Sequence, residues 1–164
     1  MTEMHRLFLS LGSNIEAEVN LPRAIQMLRE VGRVEAVSSV WESESVGIEG
    51  PNFLNACVIV LSPFEHAVFK EKVIRPIESK LGRVRSSQKN APRPIDIDVD
   101  LCDGKPVNSE YWRFAFVLIP LAELIPDFPH PASGEPLARV AKKLRAQTWM
   151  LKREDVRTDA KVLP

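Results

Sequence analysis

From Ile95 to Leu101 apolar and acidic residues alternate without a break: Ile-Asp-Ile-Asp-Val-Asp-Leu. A β-strand turns successive side chains to opposite faces. Asp96, Asp98 and Asp100 therefore share one face, and Ile95, Ile97, Val99 and Leu101 the other. Carboxylates two residues apart on one strand lie roughly 6–7 Å apart at Cα, close enough to hold one or two hard cations. A solvated edge strand would show the same alternation, so the pattern alone leaves both readings open. The approach to the strand favours the first. Between Leu81 and Arg93 the chain sets Arg83, Arg85, Lys89 and Arg93 in one polar loop that runs directly into the acidic residues. Arginine forks grip phosphate oxygens, and Mg²⁺ is held by one or two carboxylates with phosphates and water completing its shell. Fixed cations beside a carboxylate pair suit a polyanion that carries its metal with it. The stretch reads as phosphate chemistry.

The remaining chain supplies a scaffold for it. Arg6 to Leu11 is a short apolar strand, closed by a Gly12-Ser13-Asn14 turn. Asn20 is expected to cap a helix with Pro22 in its first turn; Leu21, Ala24, Ile25 and Leu28 keep helical spacing and Gly32 stops it. Val34 to Trp41 reads as one strand, Glu42 to Asn52 as a polar loop, and Phe53 to Leu61 as a nearly continuous apolar strand at the centre of a sheet. Ser62-Pro63-Phe64-Glu65 has the form of a capping box opening a helix that Pro76 should kink. The acidic strand follows. The order β-α-β-β-α-β predicts an α+β chain with a ferredoxin-like core sheet and helices packed on it, followed by a C-terminal extension. After Gly104 that extension turns aromatic (Tyr111, Trp112, Phe114, Phe116), with a short helix at Leu121–Ile125, a last one through Leu137, Val140, Ala141 and Leu144, and a charged tail, 152–164, expected to be loosely ordered.

At 164 residues the chain is read as one domain with a substantial core. Its 22 basic and 22 acidic side chains balance, which argues against nucleic acid or a membrane surface as partner. Cys57 and Cys102 both sit in apolar runs and read as buried thiols rather than a disulfide or a metal site. No apolar run approaches the roughly 18 residues of a membrane span. The expected location is cytoplasmic, and no pattern specifies an oligomeric state.

Pro92-Arg93-Pro94-Ile95-Asp96-Ile97-Asp98, preceded by Leu81-Gly82-Arg83-Val84-Arg85, resembles the signature of the 6-hydroxymethyl-7,8-dihydropterin pyrophosphokinases of folate synthesis. Further blocks fall in that family's order: Leu11-Gly12-Ser13-Asn14, Val37-Ser38-Ser39, Asn52-Phe53-Leu54-Asn55-Ala56, Phe116-Val117-Leu118-Ile119-Pro120-Leu121 and Pro126-Asp127-Phe128-Pro129-His130-Pro131. The resemblance implies two small-molecule substrates, ATP and the hydroxymethyl dihydropterin, and two Mg²⁺ ions on Asp96 and Asp98. It implies Arg83 and Arg93 on the ATP phosphates, with Glu78 and Arg85 as weaker matches near the nucleotide. Phe53 and Phe116 would sandwich the pterin ring, Asn55 would hydrogen-bond its edge through donor and acceptor together, and Ser43 and Val46 fall in the loop that completes the pocket. The implied reaction is in-line attack of the pterin hydroxymethyl oxygen on the β-phosphorus of ATP, releasing AMP.

The chain also departs from the family. Only Lys105 to Ala115 separates Gly104 from Phe116, several residues short of the usual third loop. That interval has no histidine, and Phe114 stands where an arginine is expected, so adjacent Arg113 is the candidate replacement on ATP. An aromatic is lost at Asn90, and Asp100 adds a carboxylate where an apolar residue is common. A pterin- or nucleotide-binding paralogue with weak or no transferase activity, or one serving another pterin pathway, therefore stands beside the active enzyme as an alternative.

Overall fold

In the computed structural model, which describes residues 3–45, 50–84 and 91–158, strands β1 (His5–Ser13), β2 (Arg33–Val37), β3 (Trp41–Ser43), β4 (Phe53–Ser62), β5 (Asp96–Cys102), β6 (Lys105–Pro106) and β7 (Met150–Lys152) form one sheet. Its order is β6-β5-β1-β4-β3-β7, with β2 also on β4 beyond β3, and every pairing is antiparallel. The core order β5-β1-β4-β2/β3 is the ferredoxin-like arrangement the element order predicts. One face of β1 and β4 (Leu7, Leu9, Leu11, Ala56, Val58, Val60) packs on helix α1 (Ala17–Val31) and on a second helical segment, α2 (His66–Phe69), a π-helical turn (Lys70–Ile74) and α3 (Arg75–Lys80). The other face (Phe8, Cys57, Ile59, Leu101) is covered by α4 (Ala115–Leu124) and α5 (Leu137–Gln147). Covering both faces explains why β4 is apolar at nearly every position.

Several local expectations change. The run Val34–Trp41 is two strands. Between them Ser38 donates its N–H to the Cys57 carbonyl at 2.8 Å and accepts the Cys57 N–H on its hydroxyl at 2.8 Å, so a side chain takes a ladder position. Gly12 lies inside β1 rather than in a turn; a Cβ there would meet Asn55 Oδ1 at 3.3 Å and Phe53 Cδ1 at 3.7 Å. Helix α1 begins at Ala17, before Asn20, whose amide instead donates to the Ile15 carbonyl at 2.7 Å. The second helical segment starts at His66 because β4 runs on through Ser62, and Glu65 itself caps it, accepting from the Ala67 and Val68 N–H groups at 3.1 and 2.9 Å. Pro76 has no N–H to give, and the π turn just before it absorbs the mismatch. The tail is tied down as far as it is described: β7 pairs with β3, and Arg153 donates to Glu42 at 2.6 Å and to Asp155. Among the described residues no helix is long and apolar enough to cross a membrane.

The acidic strand carries the most consequential change. Leu9 pairs with Val99 and Phe8 with Leu101, so Asp100 is the extra residue of a bulge. Beyond it the alternation inverts. Leu101 joins the α4–α5 side and Cys102 the α1 side, against the expectation that Leu101 shares a face with Ile95, Ile97 and Val99. Asp100 is turned in to 2 % exposure, with the Ser10 hydroxyl as its hydrogen-bond donor. Burial holds its carboxyl well above the ordinary range, the Ser10 bond opposing and Asp98 adding to the rise. A carboxyl raised in the fold takes up a proton on folding, so this group lowers stability as pH climbs above its unfolded value near 4. Asp100→Asn keeps the acceptor and removes the titration. It is expected to raise stability at pH 7 by roughly 1–2 kcal/mol and to flatten the pH slope in thermal unfolding. A lower melting temperature for the variant at both pH 5 and pH 7 would show that the carboxylate is needed.

Candidate active site

A cleft of about 630 Å³ opens where β1, β4 and β5 converge, and Ser43, Phe53, Asn55, Glu78, Arg83, Arg93, Asp96, Asp98 and Phe116 all line it. Val46 and Arg85, with Lys89 and Asn90, lie outside the described residues.

One wall is ionic. Asp96 is gripped on one oxygen by Arg83 Nη1 at 2.7 Å and on the other by Arg93 Nη1 at 3.4 Å. The same Arg83 nitrogen also meets Glu78, whose buried carboxylate accepts the Ile97 N–H at 3.1 Å. Burial pushes the Glu78 carboxyl up despite Arg83. Glu78 thus fixes Arg83 and β5 from behind. Arg93 is placed by β1: its N–H donates to Asn14 Oδ1 at 2.8 Å, and the Asn14 N–H returns to the Arg93 carbonyl at 3.1 Å. Asp98 differs from both neighbours. It opens to the cleft, yet the surrounding walls strip water from it. With Asp96 beside it, this desolvation pushes its carboxyl up to about 7. A carboxylate pair held together against its own repulsion is the donor set of a hard cation. Asp100, already engaged with Ser10, is not needed to complete it.

The opposite wall is apolar. Phe53 begins β4 across from Ser43, and Phe116 lies in the first turn of α4. Asn55 is 4 % exposed; its Nδ2 donates to Ser43 Oγ at 2.8 Å and to the Trp41 carbonyl at 3.1 Å. Both amide hydrogens are thereby used, leaving Oδ1 as the cleft-side acceptor rather than the donor–acceptor pair anticipated. Gly12 keeps this corner open, since a side chain there would press on Asn55 and Phe53. Phe116 is backed by a column of rings: Phe114 stacks on it at 5.2 Å and 11°, and Tyr111 on Phe114 at 6.3 Å and 26°. Tyr111 and Phe114 line the cleft, as does Lys70 from the π turn, and no sequence motif marks any of the three for a place there. Arg113 ends a 3₁₀ turn (Ser109–Arg113), lays its guanidinium over the Phe114 ring at 4.8 Å and does not line the cleft.

Paired carboxylates with two arginines on one wall, and rings around a fixed amide on the other, make this an α+β enzyme of the phosphotransfer class with room for a flat second substrate. The comparisons carry that further. The model of the 7,8-dihydro-6-hydroxymethylpterin-pyrophosphokinase (HPPK) family matches residues 8–126, and the chain belongs to that family. Among curated relatives it is similar to the 2-amino-4-hydroxy-6-hydroxymethyldihydropteridine pyrophosphokinases of Methylorubrum extorquens (37% identity, covering 86% of this chain and 94% of the relative) and Porphyromonas gingivalis (33%, 79% and 97%). Among solved structures it resembles wild-type Plasmodium falciparum HPPK-DHPS with pterin and p-hydroxybenzoate, at TM-score 0.68 and 12% identity over 88% of this chain. That likeness concerns the fold, and this chain spans 42% of the longer Plasmodium chain.

Proposed function

We infer that the cleft is where the family's reaction takes place, with the pterin on the ring-lined wall and the ATP phosphates on the ionic one. The chain is a pyrophosphokinase of folate biosynthesis: it transfers a pyrophosphoryl group from ATP to the hydroxymethyl group of 6-hydroxymethyl-7,8-dihydropterin. The observation that carries the site assignment is that Asp96 and Asp98 share one cleft with Phe53, Asn55 and Phe116.

Asp96 and Asp98 offer only carboxylate oxygens, and the repulsion that raises the Asp98 carboxyl would be relieved by a hard cation between them, which fits Mg²⁺. When bound there, Mg²⁺ neutralises the phosphate oxygens and lowers the cost of deprotonating the attacking hydroxyl. Arg83 and Arg93 are oriented before substrate arrives, Arg83 by Glu78 and Arg93 by Asp96, with Asn14 fixing the Arg93 backbone. They can therefore stabilise charge on the transferred group without reorganising. Asn55 Oδ1 accepts from the N–H edge of the pterin, while Phe53 and Phe116 hold its faces. Lys70 offers the cation on the nucleotide side that Arg113, turned onto Phe114, does not. Among the described residues no side chain stands out as a general base, so positioning and electrostatics do the catalysis.

Phe53→Ala and Phe116→Ala should each weaken pterin binding roughly tenfold while changing ATP affinity little, since a stacked ring is worth about 1 kcal/mol beyond its area. Asn55→Ala should do the same through the lost acceptor. Calorimetric titration of folded variants with pterin and with a non-hydrolysable ATP analogue checks this. Equal losses for both ligands would remove the assignment of the ring wall to pterin.

A further inference from the structure

The end of the sheet away from the cleft carries a second set of chemically active side chains. His5 opens β1, and Cys102 closes β5 at the turn into β6. That turn is Asp103-Gly104, with φ of 52° and 79°, the paired left-handed residues of a two-residue hairpin. His5 Nδ1 lies 2.6 Å from Asp103 Oδ2, and Cys102 Sγ lies 3.9 Å from the same oxygen. The three donor atoms are all within 4.8 Å of one another. The arrangement is fixed from behind. The Arg6 N–H holds Asp103 Oδ1 at 2.9 Å, the Asp103 N–H returns to the Arg6 carbonyl at 3.0 Å, and the His66 N–H points at the Cys102 sulfur.

We propose that His5 Nδ1, Cys102 Sγ and Asp103 Oδ2 form a binding site for a divalent transition metal of the Zn²⁺ type, its fourth position open to solvent, stapling the start of β1 to the β5–β6 turn. The donor set supports that choice. Imidazole, thiolate and carboxylate together are the ligands of Zn²⁺, whereas the all-oxygen pair Asp96 and Asp98 is suited to Mg²⁺. Zn²⁺ bonds of about 2.0–2.3 Å in a tetrahedron set ligand atoms roughly 3.3–3.7 Å apart, within the span these atoms already show. Small side-chain rotations reach that geometry. Asp103 is held on its far oxygen by a backbone N–H, the kind of outer support that orients a metal-binding carboxylate. The site does not rest on the assignment of the cleft: Asp98, the nearer of the two proposed Mg²⁺ carboxylates, stands four residues before Cys102 on β5, roughly 13 Å along the strand.

The test is titration of the metal-free, tag-free chain with Co²⁺ and then with Zn²⁺. A near-ultraviolet thiolate-to-cobalt band should grow to one Co²⁺ per chain and be displaced by Zn²⁺. The Asp96–Asp98 pair has no sulfur and cannot produce that band. His5→Ala and Asp103→Asn, both changes near the surface, should each weaken binding roughly tenfold or more, and Cys102→Ser should remove the band. His5→Ala should leave pyrophosphoryl transfer unchanged. No thiolate band in the wild type, or a band undiminished in His5→Ala and Asp103→Asn, would reduce the cluster to a histidine–aspartate pair beside a buried thiol and overturn the proposal.

Discussion

Asp98→Ala should leave the sheet intact and lower pyrophosphoryl transfer on the order of 10³-fold, the scale of losing a principal source of transition-state charge stabilisation. The fold does not depend on this side chain. It lines the cleft and is exposed there, and its carboxyl is pushed up to about 7 by desolvation and by Asp96. A like-charge pair without its cation costs stability, so the melting temperature at pH 7 should hold or rise. Asp96→Ala should cost comparable activity but some stability as well, because Arg83 and Arg93 both lose a partner. Asp100→Ala should affect activity far less, its carboxyl being turned to Ser10. Steady-state rates with ATP and Mg²⁺, beside melting curves, separate the three. Equal activity losses at all three positions would mean the metal pair is misassigned.

Trp112→Ala should destabilise the chain by about 3–5 kcal/mol, the usual cost of emptying a buried aromatic site. Trp112 is fully buried in the middle of the 3₁₀ turn. Its ring meets Phe128 at 5.9 Å and His130 at 6.2 Å, the latter edge-on. It is the anchor for the turn that carries Tyr111 and leads to Phe114 and Phe116, so its loss should loosen the ring wall as well. Yet Trp112 Nε1 is buried with no acceptor among the described residues. Trp112→Phe removes that unpaired donor and should cost less than half as much as the alanine change. Chemical denaturation of both variants measures this. Equal losses would point to a polar role for the indole that the fold does not display.

The acidic strand could be read from sequence because period-two alternation admits little else, and the basic loop before it supplied the chemistry. The bulge at Asp100 could not be. It arises from pairing with Phe8 and Leu9, distant in sequence, and nothing local marks it. For the same reason the inward turn of Leu101 toward the second core was missed. Arg83 was legible as one of the cations that lead into the acidic strand. Its pairing with Glu78 and Asp96 requires knowing that α3 ends beside β5. Lys70 carries no motif, and only the π turn places it in the cleft. The short third loop was visible as a count of residues. That its rings stack into a column, with Arg113 over the middle ring, Phe114, rather than lining the cleft, follows from a 3₁₀ turn that sequence spacing does not reveal.

The shortened loop makes product analysis the most direct test of the account. The purified chain, ATP, Mg²⁺ and 6-hydroxymethyl-7,8-dihydropterin are mixed, and the nucleotide and pterin products are separated. AMP and the pterin diphosphate should appear in a one-to-one ratio, with no ADP, and Asp98→Ala should form both roughly 10³-fold more slowly. Pterin that binds without AMP release, or ADP in place of AMP, would contradict the account.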